Sequence, residues 1–245
     1  MSSFGYNMLG FGGYTSRASF YAATGGSVTT DGDYKVHSFT SSGTFSVTAV
    51  GDANAELDYL IIAGGGSGGS NSGSGGGAGG RLYLENYTGI TSTGDITVTV
   101  GAGGVQAPNY GRGNNGADSV FNSITATGGG AGAGWINGST HETANDGGSG
   151  GGSGNNATPG QGIDGQGNDG GTASGYSMGA GGGAGSAASG TSRGEGVADS
   201  ITGSSVTRAR GSEQGDGTGG ANTGNGGFRS TAGGSGIVII RYKFQ

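Results

Sequence analysis

Glycine supplies 67 of the 245 residues, and this abundance restricts the folds that the chain can adopt. A glycine inside a helix costs about 1 kcal/mol relative to alanine, and no glycine-free stretch has apolar residues at helical spacing. Hydrophobic residues make up only 30% of the chain and are concentrated in short runs. We therefore expect an all-β protein with almost no α-helix, built as a small β-sandwich or sheet with a thin core.

Several short runs have the alternation or β-branched composition that predicts strands. They are residues 36–39, 44–50, 57–62, 81–84, 95–100, 119–125 and 236–244. The run at 236–244 is the strongest, because it contains Ile237 to Ile240 without interruption. We expect this strand to be buried on both faces and to pair centrally with the early strands.

Long glycine-rich tracts separate these runs, at residues 64–80, 101–104 and 128–234. Their composition favours disorder or a flexible linker, since few apolar groups are available to offset the entropy of ordering. The ordered alternative is a set of polyproline-II-like polyglycine helices, with three residues per turn, packed on the sheet. Only glycine lets such backbones approach closely enough to exchange hydrogen bonds. Collagen is excluded, because there is no strict Gly-X-Y repeat and there are only two prolines.

The charged residues do not indicate a catalytic or nucleic-acid-binding protein. The net charge is −6, whereas a nucleic-acid binder needs clustered positive charge. Cysteine is absent, and the two histidines, His37 and His141, are far apart in sequence. We expect no enzymatic activity, no cofactor, no metal and no nucleic-acid partner.

Two glycine motifs resemble ligand-binding sequences. The GxGxxG-like spacings around Gly64 to Gly69 precede no helix, so they do not predict phosphate binding. A five-residue echo at 160–164 and 165–169 partly matches a calcium-binding repeat, but the apolar residue that should follow is missing. Asp and Asn in glycine turns are the expected explanation.

The first 33 residues are rich in aromatic side chains, and we assign them to an N-terminal docking arm, followed by a glycine-rich β domain at 34–245. Phe4, Tyr6, Phe11 and Tyr14 are the candidate attachment residues, because an exposed aromatic segment favours contact with a partner. The alternative is that this segment packs against its own domain.

A second group of large side chains lies within the glycine-rich surroundings. Tyr110, Trp135, His141 and Tyr176 are the candidate receptor-binding residues, since aromatic groups on loops dominate binding hot spots. They can instead fill gaps between glycine helices.

The order of segments resembles the glycine-rich domain of bacteriophage tail-fibre and adhesin proteins over about residues 34–243. The matching motifs are VHSFTSSGTFSVT at 36–48, LDYLIIAGGG at 57–66, GGR at 79–81, ITVTVGAGG at 96–104, DSVFNSITATGGG at 118–130 and GSGIVIIRY at 234–242.

This resemblance implies a virion component, often a homotrimer, that contacts other virion proteins and recognises a host surface glycan or outer-membrane protein. Some relatives of this type use packed polyglycine helices with variable loops as receptor contacts. A capsid decoration or cement protein without a receptor role is the alternative. The N-terminus has no basic segment followed by an apolar stretch, so we expect no signal peptide and a final location in the virion.

Overall fold

The computed structural model describes residues 20–52, 56–106, 110–136 and 140–245, and the part of the chain within these ranges contains strands but no α-helix. The protein is therefore all-β, as predicted. The strands are β1 (Tyr21–Thr24), β2 (Ser27–Asp31), β3 (Tyr34–Phe39), β4 (Gly43–Val50), β5 (Leu57–Ile62), β6 (Arg81–Tyr87), β7 (Gly94–Thr99), β8 (Ser119–Phe121), β9 (Ile124–Ala126), β10 (Trp135–Ile136), β11 (Thr140–His141), β12 (Val197–Asp199), β13 (Val206–Arg208) and β14 (Ile237–Lys243).

Two five-stranded antiparallel sheets form a sandwich. One has the order β1-β4-β7-β8-β9 and the other the order β2-β3-β14-β5-β6. β14 lies at the centre of the second sheet, where Ile239 is opposite both Ser38 of β3 and Leu60 of β5. The prediction that the C-terminal strand returns to pair centrally with the early strands is confirmed.

The core between the sheets is made by alternate residues of the facing strands. Phe45 and Phe121 of the first sheet are fully buried against Ile240 and Tyr242 of the second. Phe45 contacts Phe121 edge to face, with 5.9 Å between the ring centroids. Six of the fifteen buried residues in this core are aromatic, and their large apolar area offsets the small number of hydrophobic residues.

The central strands of the second sheet, β3, β14 and β5, are also buried on their other face. Ile237 and Ile239 of β14 pack there with Leu60, Ile201 and Ala209, next to the β12–β13 hairpin. This explains why β14 is an unbroken apolar run, since a strand covered on both sides has no polar face.

The glycine tracts form extended segments side by side, with the hydrogen-bond pattern of polyglycine helices. Residues 63–70 show this pattern, because their N–H groups donate in turn to three neighbouring segments, at 111–117, 231–234 and 74–80. Gly64 donates to Ala117, Gly65 to Gly234 and Gly66 to Gly77; Ser67 then donates to Asn114, Gly68 to Thr231 and Gly69 to Ser74. A donor direction that repeats every third residue corresponds to three residues per turn. The tracts are therefore a hydrogen-bonded lattice rather than a disordered linker.

Close approach of the backbones explains the need for glycine in this lattice. A Cβ atom on Gly66 would lie 2.1 Å from the carbonyl oxygen of Gly130, and one on Gly77 would lie 2.2 Å from that of Ser149. Side chains larger than those of alanine and serine are accordingly rare among the buried lattice residues, which include Ala78, Ala131 and Ser212.

Three features differ from the sequence predictions. Residues 119–125 form a hairpin instead of one strand, because Asn122 and Ser123 adopt positive φ angles of 46° and 65° between β8 and β9. Residues 21–31, which we assigned to the N-terminal arm, belong to the sandwich as β1 and β2. The short hairpins β10–β11 and β12–β13 were not predicted, since strands of two or three residues carry no periodic signal.

Candidate recognition surface

The glycine segments run between the sandwich and the opposite side of the lattice. β5 ends at Ile62 and β6 begins at Arg81, so residues 63–80 leave and re-enter the same edge of the sandwich. Their turn, at Asn71 and Ser72, lies away from the sheets. We call this side the far end and define it by the turns at 70–73, 154–157, 174–178 and 228–231, together with residues 105–106, 110–111, 135–136 and 140–141.

Hydrogen bonds join these turns to one another. Ser70 N–H donates to the carbonyl oxygen of Gly111, and the carbonyl oxygen of Ser70 accepts from Trp135 N–H at 3.3 Å. Ser230 N–H donates to the carbonyl oxygen of Gly69 at 2.8 Å. Hydrogen bonds therefore hold residues 69–70, 111, 135 and 230 together at the far end.

The four residues predicted to bind a receptor all lie at this end. Tyr176 is 84% exposed and Tyr110 is 67% exposed. Trp135 is buried, and its ring centroid is 5.6 Å from that of Tyr176. His141 is the cross-strand partner of Trp135 in the β10–β11 hairpin. The Tyr176 ring thus packs against the buried Trp135 ring, while Tyr176 and Tyr110 are exposed to solvent. The predicted attachment residues, Phe4, Tyr6, Phe11 and Tyr14, lie outside the described residues.

Backbone conformation distinguishes the far end. Positive φ is favourable for glycine but uncommon for other residues, and for a bulky residue it is an outlier. Of the twelve non-glycine residues with positive φ in the described ranges, seven lie at the far end, and Tyr110 is among them with φ of 59°. The seven are Asn71, Ser72, Tyr110, Asn155, Asn156, Arg229 and Ser230. Side chains are thus present where glycine would fit without strain.

None of the six polar residues in this group was singled out from the sequence. They add amide, hydroxyl and guanidinium groups to the same end of the lattice, where Nη2 of Arg229 lies 3.4 Å from the Ser72 hydroxyl. Pairs of non-glycine residues inside glycine runs, such as Asn155-Asn156, could have indicated these turns from the sequence. Asparagine is common in turns because it tolerates the left-handed conformation. The surface combines exposed rings with hydrogen-bonding groups, which suits binding rather than covalent chemistry.

The remaining motifs carry no comparable arrangement. Asp169, in the echo that partly matches a calcium-binding repeat, accepts a hydrogen bond from Gly162 N–H at 2.8 Å and so acts in a turn. Within the described ranges, no three His, Asp or Glu side chains are grouped as metal ligands. The same residues contain no helix long and apolar enough to cross a membrane.

His37 is buried in the sandwich, away from the far end. Its Nδ1 lies 2.7 Å from the carbonyl oxygen of Gly25, and its Nε2 lies 3.0 Å from the Tyr242 hydroxyl. Burial lowers the pKa of His37. Both ring nitrogens have hydrogen-bond partners inside the sandwich, so the side chain has a structural role in the core.

Comparison with known proteins agrees with this architecture. No curated protein matches the sequence at a significant level. A glycine-rich domain family matches residues 40–243, which include β14, most of the sandwich and the whole glycine lattice. The chain therefore belongs to the glycine-rich domain family.

Proposed function

We propose that this protein is a phage virion component, a tail fibre or adhesin tip, that recognises the host cell surface through the far end of its glycine lattice. The observation that carries the proposal is the pair of exposed tyrosines, Tyr110 and Tyr176, held on turns of a rigid scaffold. Large exposed aromatics surrounded by polar groups are typical of binding hot spots.

The strained positions support a functional role for these side chains. Non-glycine residues at positive φ persist where the surrounding structure enforces them, and they are concentrated at functional sites. A turn built only for connection would use glycine at Tyr110 and Arg229, as the turn at Gly175 does with φ of 60°. The far end therefore presents side chains at some cost in backbone energy.

Attachment to the particle is proposed for the opposite end of the chain. The aromatic segment with Phe4, Tyr6, Phe11 and Tyr14 precedes β1, which belongs to the sandwich. Assembly as a homotrimer is part of the same proposal and rests on the family resemblance.

The proposal is tested by binding of fluorescently labelled protein to host cells. Tyr176→Ala should weaken binding about thirtyfold, equivalent to about 2 kcal/mol for a hot-spot aromatic. Its melting temperature should be almost unchanged, because the side chain is 84% exposed. The matched control is Leu84→Ala, which removes a 44% exposed side chain from β6 in the sandwich.

Treatment of the cells separates the two kinds of receptor. Periodate oxidation should abolish binding to a surface glycan, whereas proteolysis should abolish binding to an outer-membrane protein. The wild-type protein could instead fail to bind any host cell, while particles that lack it become less stable. That combination would identify a capsid cement protein.

A further inference from the structure

A polar pocket lies beside the sandwich, at the opposite end of the glycine lattice from the recognition surface. It has a volume of about 190 Å³ and is lined by Arg81, Gly165, Gln166, Asn168 and Val197, among others. Arg81 is the first residue of β6, and residues 165–168 belong to the second half of the five-residue echo. The echo therefore contributes a wall of this pocket.

Arg81 brings a positive charge to the pocket, and among the described residues its guanidinium group forms no salt bridge. Its side chain is partly buried, and its Nε atom is itself buried without a hydrogen-bond acceptor among the described residues. Burial lowers the pKa of Arg81, and the nearby Asp199 carboxylate opposes this effect. An arginine held in this way lacks a strong anionic partner of its own.

Asp199 is already bound to another arginine. Both of its carboxylate oxygens accept from Nη1 of Arg208, at 3.2 and 3.3 Å, and both side chains are buried. Asp199 thus pairs directly with Arg208 and acts on Arg81 only at longer range. One positive charge remains at the pocket, in a protein whose net charge is −6.

The surrounding contacts fix the position of Arg81. Its backbone N–H donates to the carbonyl oxygen of Gln166 at 2.9 Å, and its guanidinium carbon lies 5.2 Å from the ring centroid of Tyr83. The Gln166 side chain accepts from Thr127 N–H at 2.8 Å, which holds the pocket wall against the lattice. A Cβ atom on Gly165 would meet nothing within 4 Å, so this side of the turn is open.

We propose that this pocket binds a carboxylate group. A planar guanidinium matches the geometry of a carboxylate, and a charge-assisted hydrogen bond of this kind is stronger than a neutral one. The volume is several times that of a water molecule, which is about 30 Å³, so a carboxylate with a short carbon chain fits. Val197 and Ala184 supply an apolar wall for that chain. The carboxylate belongs either to an acidic residue of a partner protein or to a small free acid.

The test follows the Arg81 Nε–H resonance of the ¹⁵N-labelled full-length protein by NMR. Three probes are used: the N-acetylated and C-amidated tripeptide Gly-Glu-Gly, the corresponding Gly-Gln-Gly peptide and acetate. The glutamate peptide should shift the resonance saturably in the millimolar range, and the glutamine peptide should not. Equal binding of acetate would indicate a free acid as the source, and much weaker binding of acetate would indicate a protein.

Variants provide the control. Arg81→Gln should weaken the effect of the glutamate peptide on the Gly165 and Gly167 amide resonances at least tenfold, whereas Arg229→Gln at the far end should not. If Arg81→Gln fails to fold, the wild-type titration still decides the question. No saturable shift with either carboxylate, or an equal shift with the glutamine peptide, would overturn the proposal. The NMR titration does not involve host cells, so a negative result would not affect the proposal that the far end recognises the host surface.

Discussion

Substitution of a lattice glycine by alanine tests the close packing of the glycine segments directly. In Gly66→Ala the new Cβ atom would lie 2.1 Å from the carbonyl oxygen of Gly130, whereas ordinary contact begins at about 3.4 Å. Segments 63–70 and 127–134 would have to separate by the difference, about 1.3 Å. The hydrogen bonds from Gly129 N–H to Gly64 and from Gly132 N–H to Ser67, now 2.8 and 3.0 Å, would then exceed hydrogen-bond range.

The expected loss follows from these bonds. Two hydrogen bonds at about 1 kcal/mol each, with overpacking of about 1–3 kcal/mol, give a destabilisation of about 3–5 kcal/mol. For a chain of this size the melting temperature should fall by about 10 °C. The reduced entropy of the unfolded chain offsets only about 0.4–1 kcal/mol of this loss.

Thermal melting followed by circular dichroism measures this effect, with Gly217→Ala as the matched control. A Cβ atom on Gly217 would meet nothing within 4 Å, so this variant should melt at or slightly above the wild-type temperature. A melting temperature of Gly66→Ala within about 2 °C of the wild type would correspond to a loss of under about 1 kcal/mol. That result would show that segments 63–70 and 127–134 do not pack as closely as the structure indicates.

Three further predictions concern the sandwich. Ile239 is fully buried at the centre of β14, so Ile239→Ala should lower the free energy of unfolding by about 2–5 kcal/mol in a denaturant titration. The control Val28→Ala, at a 47% exposed residue, should change it little. Removal of residues 236–245 should abolish cooperative melting. Equal costs for the two alanine variants would show that β14 is peripheral. Because burial holds the pKa of His37 below its ordinary value of 6.5, the unfolded chain takes up a proton first as the pH falls. Stability should therefore be constant above about pH 6.5 and decline below it. The decline should be weaker in His37→Gln, and an unchanged pH profile in that variant would contradict this assignment.

The strands that the sequence predicted are those with an apolar or alternating pattern. Leu57–Ile62 and Ile237–Lys243 carry that pattern because both of their faces are covered. β2 has an almost entirely exposed pattern and occupies a sheet edge, so only its pairing with β3 defines it as a strand. Pairing partners are not encoded in local periodicity.

The candidate site was predictable only in part. Large side chains in glycine-rich surroundings identified Tyr110, Trp135 and Tyr176, but the sequence did not show that Trp135 is buried beneath Tyr176. The polar far-end residues, such as Arg229, become significant only through their φ angles and their place at the same end of the lattice. These properties depend on tertiary packing between segments that are distant in sequence.

The three-residue periodicity of the lattice restricts how such a chain can change in length. Inserting one residue into segment 63–70 would rotate every following N–H group by about 120°, toward the wrong neighbouring segment. Only whole turns of three residues, about 9.3 Å long, keep the donors in phase. Turn residues such as Asn71 and Ser72 have no such restriction, because they join segments without belonging to the repeat. Lattice segments can therefore change in length only by multiples of three residues, whereas the turns that they carry at the far end can vary in length and sequence.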